Sequence, residues 1–363
     1  MFEEIRPYHD EEVPAAVARL VNDPEFLHAI VRYRLGAWAQ RFEFLLLPLV
    51  SLMLKRHFRK FQTVDAIQHY IARYMDIALK RTTKSVTSSG LDHLDPTKSY
   101  LFISNHRDIA MDPALVNWCL HHAGHQTARI AIGDNLLKKP CVTELMRLNK
   151  SFIVRRSAKG PREMLKALSQ LSGYIKHSLE TGHSIWIAQK EGRAKDGFDQ
   201  TDPAILKMFH MEGRQRDIDF ASYMNQLHIV PVSISYEFDP CDEAKARELA
   251  LRAQQGSYEK AELEDIESII AGITGYKGRV HVHFGKVVTN APSEPDALAK
   301  HIDAEIYQGY RLYPINLVAA DQPVAADDYA AAEARLSAAD SQLQPFLRQM
   351  YAQTFLNHFK EVL

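Results

Sequence analysis

Cysteine is scarce: Cys119, Cys141 and Cys241 are the only three in 363 residues, too few and too scattered for a disulfide framework. A reducing compartment is expected, with the thiols used as core packing. Net charge is equally scarce, a formal −1, which leaves no whole-molecule field for attracting nucleic acid. No nucleic-acid partner is expected, and an anionic ligand must be met by a local basic patch. Long apolar runs are missing too. The longest uncharged one, Phe44 to Leu54, falls well short of the ~20 residues that span a bilayer, and it contains Pro48. No transmembrane helix is expected. The opening Met1-Phe-Glu-Glu-Ile-Arg is acidic and lacks the basic flank and apolar core of a secretory signal, so export is not expected. Neither Ser104 nor Ser157 sits in a Gly-x-Ser-x-Gly elbow, which makes a serine hydrolase a poor fit.

What is present is apolar material in short pieces. A hydrophobic fraction of 46% over this length supplies one large core with helical additions. Up to about Thr87 the chain lacks strand-like runs, and apolar residues recur at helical spacing through Pro24 to Val31 and Val64 to Ile71. Residues 1–90 therefore read as a helical N-terminal region. Within it, Phe44 to Leu54 runs directly into Lys55, Arg56, His57, Arg59 and Lys60, interleaved with Phe58 and Phe61. An apolar stretch beside a cationic, aromatic-bearing one suits an interfacial anchor on anionic lipid. A core helix with a solvated basic end carries about equal weight on this segment alone.

From Ser99 the texture changes to short β-branched runs separated by helical ones. The runs are Tyr100 to Ser104, Ala128 to Ile132, Ser151 to Val154, Ser184 to Ala188, Ile229 to Ser235 and Arg279 to Phe284. Such alternation predicts an α/β fold: a central mixed, largely parallel sheet flanked by helices, over residues 91–290. Helices are expected at Pro113 to His121 and Pro161 to Leu179, each with proline near its first turn. The charged segment 244–273 reads as a helical insertion between two strands. Residues 291–363 read as C-terminal helices, ending in Ser341 to Leu363 with apolar residues at helical spacing.

The chemistry concentrates in three segments. Ser104-Asn-His-Arg-Asp-Ile-Ala-Met-Asp-Pro stands where a strand gives way to a helix, at the carboxyl edge of the sheet where α/β proteins build sites. His106 can act as general base for a hydroxyl, with Asp108 or Asp112 as the carboxylate that fixes its tautomer. Phe152-Ile-Val-Arg155-Arg156 is a strand ending in two guanidinium groups, whose forked donors suit a phosphate. Gln189-Lys190-Glu191-Gly192-Arg193 is a turn in which glycine permits tight backbone and cations cluster near a carboxylate. Each segment alone is as well explained by a polar surface turn.

Taken in order, with Ile229-Val-Pro-Val-Ser-Ile as a fourth block, these segments resemble the glycerolipid acyltransferase superfamily of glycerol-3-phosphate and lysophosphatidate acyltransferases. The resemblance covers about Lys98 to Gly285. It implies that His106 takes the proton of an acceptor hydroxyl as that oxygen attacks the thioester carbonyl of acyl-CoA or acyl carrier protein, with no covalent acyl-enzyme. It implies further that Arg155, Arg156 and Arg193, with Lys190 and Gly192 in the same turn, hold the acceptor phosphate, while Glu191 orients the glycerol or the cations. A lysophospholipid, foremost 1-acylglycerol-3-phosphate, is the expected acceptor, with glycerol-3-phosphate or another hydroxyl lipid as the alternative. Membrane lipids and the acyl donor are the expected partners, without cofactor or metal, at the cytoplasmic face of a membrane.

Two departures stand out. Five residues separate His106 from Asp112 where the family has four, so Asp112 fits when the turn absorbs one residue. Asp108 is the alternative, although i and i+2 side chains point apart on a helix. In the third block Arg193 stands where the family has threonine, and Ala194 where it has arginine. Two other classes compete: a catalytically silent lipid-binding protein, which the altered spacing allows, and a metal-dependent hydrolase using Cys119, His121, His122 and His125. The latter cluster lacks the spacing of a zinc site and reads better as surface histidines.

Overall fold

A computed structural model describes residues 2–35, 43–261 and 263–360. Met1, Glu262 within the 244–273 segment and the last three residues of the Ser341–Leu363 run lie outside the described residues. In chain order, α1 (Val13–Asn22), α2 (Pro24–Leu35), α3 (Glu43–Phe58) and α4 (Val64–Thr82) come first. They are followed by β1 (Ser85–Ser89), β2 (Leu101–Ser104), α5 (Met111–His122), β3 (Arg129–Gly133), α6 (Pro140–Leu148), β4 (Ser151–Val154), α7 (Pro161–Glu180) and β5 (Ile185–Ala188). Then come α8 (Pro203–Gln215), α9 (Phe220–Asn225), β6 (Ile229–Tyr236), α10 (Asp242–Gln255), α11 (Glu264–Thr274) and β7 (Arg279–Phe284). The helices α12 (Pro295–Gln308), α13 (Pro314–Ala319), α14 (Ala326–Ser337) and α15 (Gln344–His358) close the chain. Among the described residues no helix is long and apolar enough to cross a membrane.

The chain divides into two compact units, Met1–Tyr74 with Arg129–Tyr174, and Met75–Ala128 with Ile175–Leu363. In the first, α1 buries Val13, Ala16, Val17, Leu20 and Val21, a helical stripe that packs with Phe61, Val64, Ile67, Cys141 and Leu148. Its strands β3 and β4 pair in parallel, Ile130 opposite Ser151.

In the second unit five strands lie in the order β1-β7-β6-β2-β5. All neighbours are parallel except β6 and β7, so the sheet is mixed and largely parallel, as the alternating pattern predicts. Every residue of β2 and β6 is buried, which explains their near-continuous apolar sequence. Pro231 is tolerated in central β6 because its carbonyl, and hence its missing N–H, faces Gly285, just past the last ladder pair Val232–Phe284. The three cysteines are buried.

One strand differs from the sequence reading. Ser85–Ser89 pairs with β7, Val86 opposite Val280, although only Val86 in it is apolar. An edge strand with one exposed face has little hydrophobic pattern to betray it. The 244–273 segment supplies α10 and α11 between β6 and β7, and α10 joins a core with α13, α14 and α15 through Ala246, Ile315, Leu336, Leu347 and Tyr351.

Candidate active site

The chain leaves β2 at Ser104 and crosses the carboxyl edge of the sheet. Asn105 stays tied to that edge: its side-chain amide donates to Ile234 O at 3.0 Å and accepts from Ile234 N–H at 2.8 Å. The amide thus imitates one more rung between β2 and β6, and it fixes where the next residue starts. Ser104 is buried, its hydroxyl donating to Asn105 O and accepting from the Trp186 indole, so it serves the backbone.

His106 follows with its Nδ1 2.8 Å from Asp112 Oδ2. Asp112 is fully buried in the first turn of α5, where helix N-terminal amides favour an anion. Its Oδ2 also accepts the backbone N–H groups of Arg107 at 2.6 Å and Asp108 at 2.9 Å, and its Oδ1 accepts the Tyr236 hydroxyl at 2.7 Å. A carboxylate among four donors acts only as acceptor, so the imidazole proton sits on Nδ1 and the Nε2 lone pair faces outward. The His106 side chain keeps 15% of its surface exposed, and its ring meets the Trp186 indole edge-on at 5.7 Å. This is the geometry of a general base.

Asp108, the alternative partner, does not meet His106. Its Oδ1 accepts from Ala110 N–H at 3.0 Å and Met111 N–H at 2.8 Å, so it holds the turn into α5. That turn is what takes up the extra residue between His106 and Asp112. Burial, then the neighbouring Asp112, pushes the Asp108 carboxyl above its ordinary range. Its Oδ2 has no hydrogen-bond partner among the described residues and lies against Gly272 of α11.

The third block is stitched to the first. Ala194 N–H donates to His106 O at 3.0 Å, so the Glu191-Gly192-Arg193 turn sits beside the imidazole through backbone. Gly192 has φ of 77°, the left-handed region that glycine enters freely. Lys190 Nζ donates to Phe198 O at 2.7 Å and Arg193 to Ser268 Oγ at 3.3 Å; Glu191 is exposed. Beyond the turn, Asp199 accepts from Arg107 at 2.7 Å and Tyr310 at 2.5 Å, and Asn357 of α15 donates to Gly197 O at 3.0 Å. Lys245 of α10 donates to Arg107 O at 2.7 Å and pairs with Asp239. The C-terminal helices therefore fasten the loop that follows the block.

Arg155 and Arg156 belong to the first unit. There Arg155 pairs with Glu4, while Arg156 N–H donates to Asp134 at 3.1 Å and its side chain runs over Gly133. Of the competing metal cluster, Cys119 is buried with its thiol pushed up to about 12 by burial, and His122 stacks on Trp118. Among the described residues no group of three or more His, Cys, Asp or Glu side chains is placed to hold a metal ion.

Sequence reasoning missed Tyr236, Trp186 as a ring neighbour of His106, and the structural work of Asn105. Tyr236 stands 124 residues from Asp112, and no local spacing signals their contact. Asn105 was legible only as part of a motif.

Residues 85–235 match a family model described as Acyltransferase. The match begins with β1 and ends one residue before Tyr236. Among solved structures the chain is similar to the 1-acyl-sn-glycerophosphate (LPA) acyltransferase PlsC from Thermotoga maritima, at 14% identity, covering 82% of this chain and 94% of that chain with a TM-score of 0.41. No curated protein matches.

Proposed function

We propose, from the premise that residues 85–235 form an acyltransferase domain of the glycerolipid superfamily, that the chain moves a fatty acyl group from acyl-CoA or acyl carrier protein to a lysophospholipid hydroxyl, foremost that of 1-acylglycerol-3-phosphate. The observation that carries this reading is the 2.8 Å contact between His106 and the buried Asp112 at the carboxyl edge of the sheet.

In this mechanism His106 Nε2 accepts the proton of the acceptor hydroxyl while its oxygen forms the ester bond at the thioester carbonyl. The carbon–sulfur bond breaks, and the imidazolium, stabilised by Asp112, returns its proton to the leaving thiolate. Base catalysis of this kind is worth about 10²–10⁴ in rate. Arg193 and Lys190, on the turn bonded to His106 O, are assigned to the acceptor phosphate, and Glu191 orients the glycerol; the family resemblance alone gives Arg155 and Arg156 of the first unit a phosphate-binding role.

The substrates partition into bilayers, and α3 supports a docking role at the cytoplasmic face. It exposes Phe44, Leu49, Leu52 and Met53 and ends in Lys55, Arg56 and His57, with Arg59 and Lys60 following. The test is thiol release from acyl-CoA by purified protein, with lysophosphatidate or glycerol-3-phosphate as acceptor and acyl carrier protein as alternative donor. Acceptor-dependent release lost in His106→Ala supports the proposal and identifies the substrate. Release that survives this substitution refutes it.

A further inference from the structure

Lys245 is a buried ammonium that the transfer step does not use. It lies on α10, beyond the residues 85–235 that match the family, and is 2% exposed. Its Nζ pairs with Asp239, itself buried, and donates to Arg107 O at 2.7 Å. Asp239 is fixed in turn: its Oδ1 accepts the Cys241 N–H at 2.8 Å, and its own N–H donates to the Tyr351 hydroxyl at 2.9 Å. Stability alone gives no reason for the pair. Taking two charges out of water commonly costs as much as their attraction returns, and packed apolar residues of the same volume do as well. What an apolar side chain cannot do is donate to Arg107 O.

That carbonyl belongs to the peptide whose nitrogen is Asp108 N. The Asp108 N–H donates to Asp112 Oδ2 at 2.9 Å, the same oxygen that meets His106 Nδ1 at 2.8 Å. A peptide group is conjugated, so a cation at its oxygen draws the nitrogen lone pair into the C–N bond and leaves the N–H more positive. Hydrogen bonds in a chain of this kind strengthen one another in a dry interior. Lys245, the Arg107–Asp108 peptide, Asp112 and His106 are thus joined end to end.

The same contact sets the peptide's orientation. Arg107 N–H is on Asp112 at 2.6 Å and its guanidinium is on Asp199 at 2.7 Å, so with Lys245 on its carbonyl the residue is held at all three points. A turned peptide would aim its carbonyl at the Asp112 carboxylate and leave the ammonium without its acceptor.

We infer that Lys245 is a positioning residue for the general base: its ammonium, acting through the Arg107–Asp108 peptide, holds and polarises an N–H that keeps Asp112 aimed at His106 Nδ1. The inference rests on the acyltransferase reading for its effect on rate, but one readout needs no activity. Lys245→Met removes the donor at similar side-chain length. Lys245→Met/Asp239→Asn also removes the partner charge, so no unpaired carboxylate stays buried, and it decides the matter where the single variant does not fold. Arg-Asp occurs at 107–108 and 216–217 and nowhere else in the sequence. Labelling arginine at the carbonyl carbon and aspartate at nitrogen therefore isolates two amides by NMR, with Asp217 as the internal control.

In the variants the Asp108 amide proton is expected to move upfield while that of Asp217 stays, and kcat to fall about tenfold with KM within about twofold of the parent. In an Asp112→Asn background the same substitution is expected to change kcat by less than about twofold, because the route through the carboxylate is already cut. An unmoved Asp108 amide overturns the inference, as does a kcat equal to the parent's. An equal loss of kcat in the Asp112→Asn background overturns it too and assigns Lys245 to packing. A parent that transfers no acyl group defeats the acyltransferase reading instead, and the amide shift still decides whether Lys245 polarises the peptide.

Discussion

Tyr236 donates its hydroxyl to Asp112 Oδ1 at 2.7 Å from the end of β6, so the carboxylate that orients His106 is itself held from the strand opposite. Burial, then the proximity of Asp112, pushes the Tyr236 phenol well above its ordinary range, which keeps it a donor at every working pH. Tyr236→Phe removes one donor from a buried carboxylate and leaves the ring in place. Hydrogen bonds to charged groups are worth about 1.5–3 kcal/mol, so a drop in kcat of roughly tenfold or more is expected with little change in KM. Equal changes in kcat and KM, or a kcat equal to the parent's, count against Tyr236 as a support of the working carboxylate.

Asp112→Asn and Asp108→Asn separate the two carboxylates. The first replaces the group on His106 Nδ1 and is expected to lower kcat by about 10²-fold or more. The second keeps an oxygen for the Ala110 and Met111 N–H groups and is expected to retain most activity. Because burial holds the folded Asp108 carboxyl above its unfolded value, ionising it opposes folding, an opposition absent at low pH and growing as pH rises past that value. Asp108→Asn should therefore gain thermal stability relative to the parent as pH increases from acid to neutral. The two variants behaving alike in the transfer assay excludes the assignment of Asp112 as the partner.

Asn105→Ala strands the N–H and the C=O of Ile234, both within the buried strand β6. Each unsatisfied buried group costs about 1–3 kcal/mol, so a destabilisation of roughly 2–6 kcal/mol is expected. Denaturant titration checks it, and a midpoint equal to the parent's shows that the amide is not serving as a ladder rung.

His281 predicts an acid weakness away from the site. Its ring lies between Thr87 Oγ1 at 2.8 Å and Ser89 Oγ at 2.9 Å, and burial, followed by repulsion from His283, pushes it down to about 4. A depressed histidine binds its proton more readily in the unfolded chain. Its contribution is therefore whole above the unfolded value near 6.5 and is lost as pH falls from there toward 4. Partial exposure of the ring discounts the effect to about 1–2 kcal/mol. Melting temperatures of His281→Gln between pH 7 and pH 4 should fall less than those of the parent.

Arg156→Glu is expected to raise the acceptor's KM several-fold more than the donor's, because a reversed charge repels a phosphate and leaves the thioester carbonyl untouched. Initial rates at varied acceptor and donor separate the two, and equal changes count against the phosphate assignment.

The buried strands and most helices were legible in the sequence because hydrophobic period and turn chemistry act over a few residues: Tyr100 to Ser104 and Ile229 to Ser235 announce themselves, and Pro161 opens its helix. His106 was legible as a motif with Asp112 and Asp108 as its candidate partners, as was the turn at Gly192. The polar edge strand Ser85–Ser89 was not, since its pairing with β7 rests on backbone and leaves little apolar pattern. Nor was the choice between Asp108 and Asp112, which depends on whether the turn spends a carboxylate on capping α5. Tyr236 on Asp112, Asn105 on Ile234 and Arg107 on Asp199 join residues 124, 129 and 92 positions apart. Such contacts follow from strand order and register, which arise only when the whole chain buries its core, so the sequence names the candidate reacting groups and the tertiary structure decides what holds them.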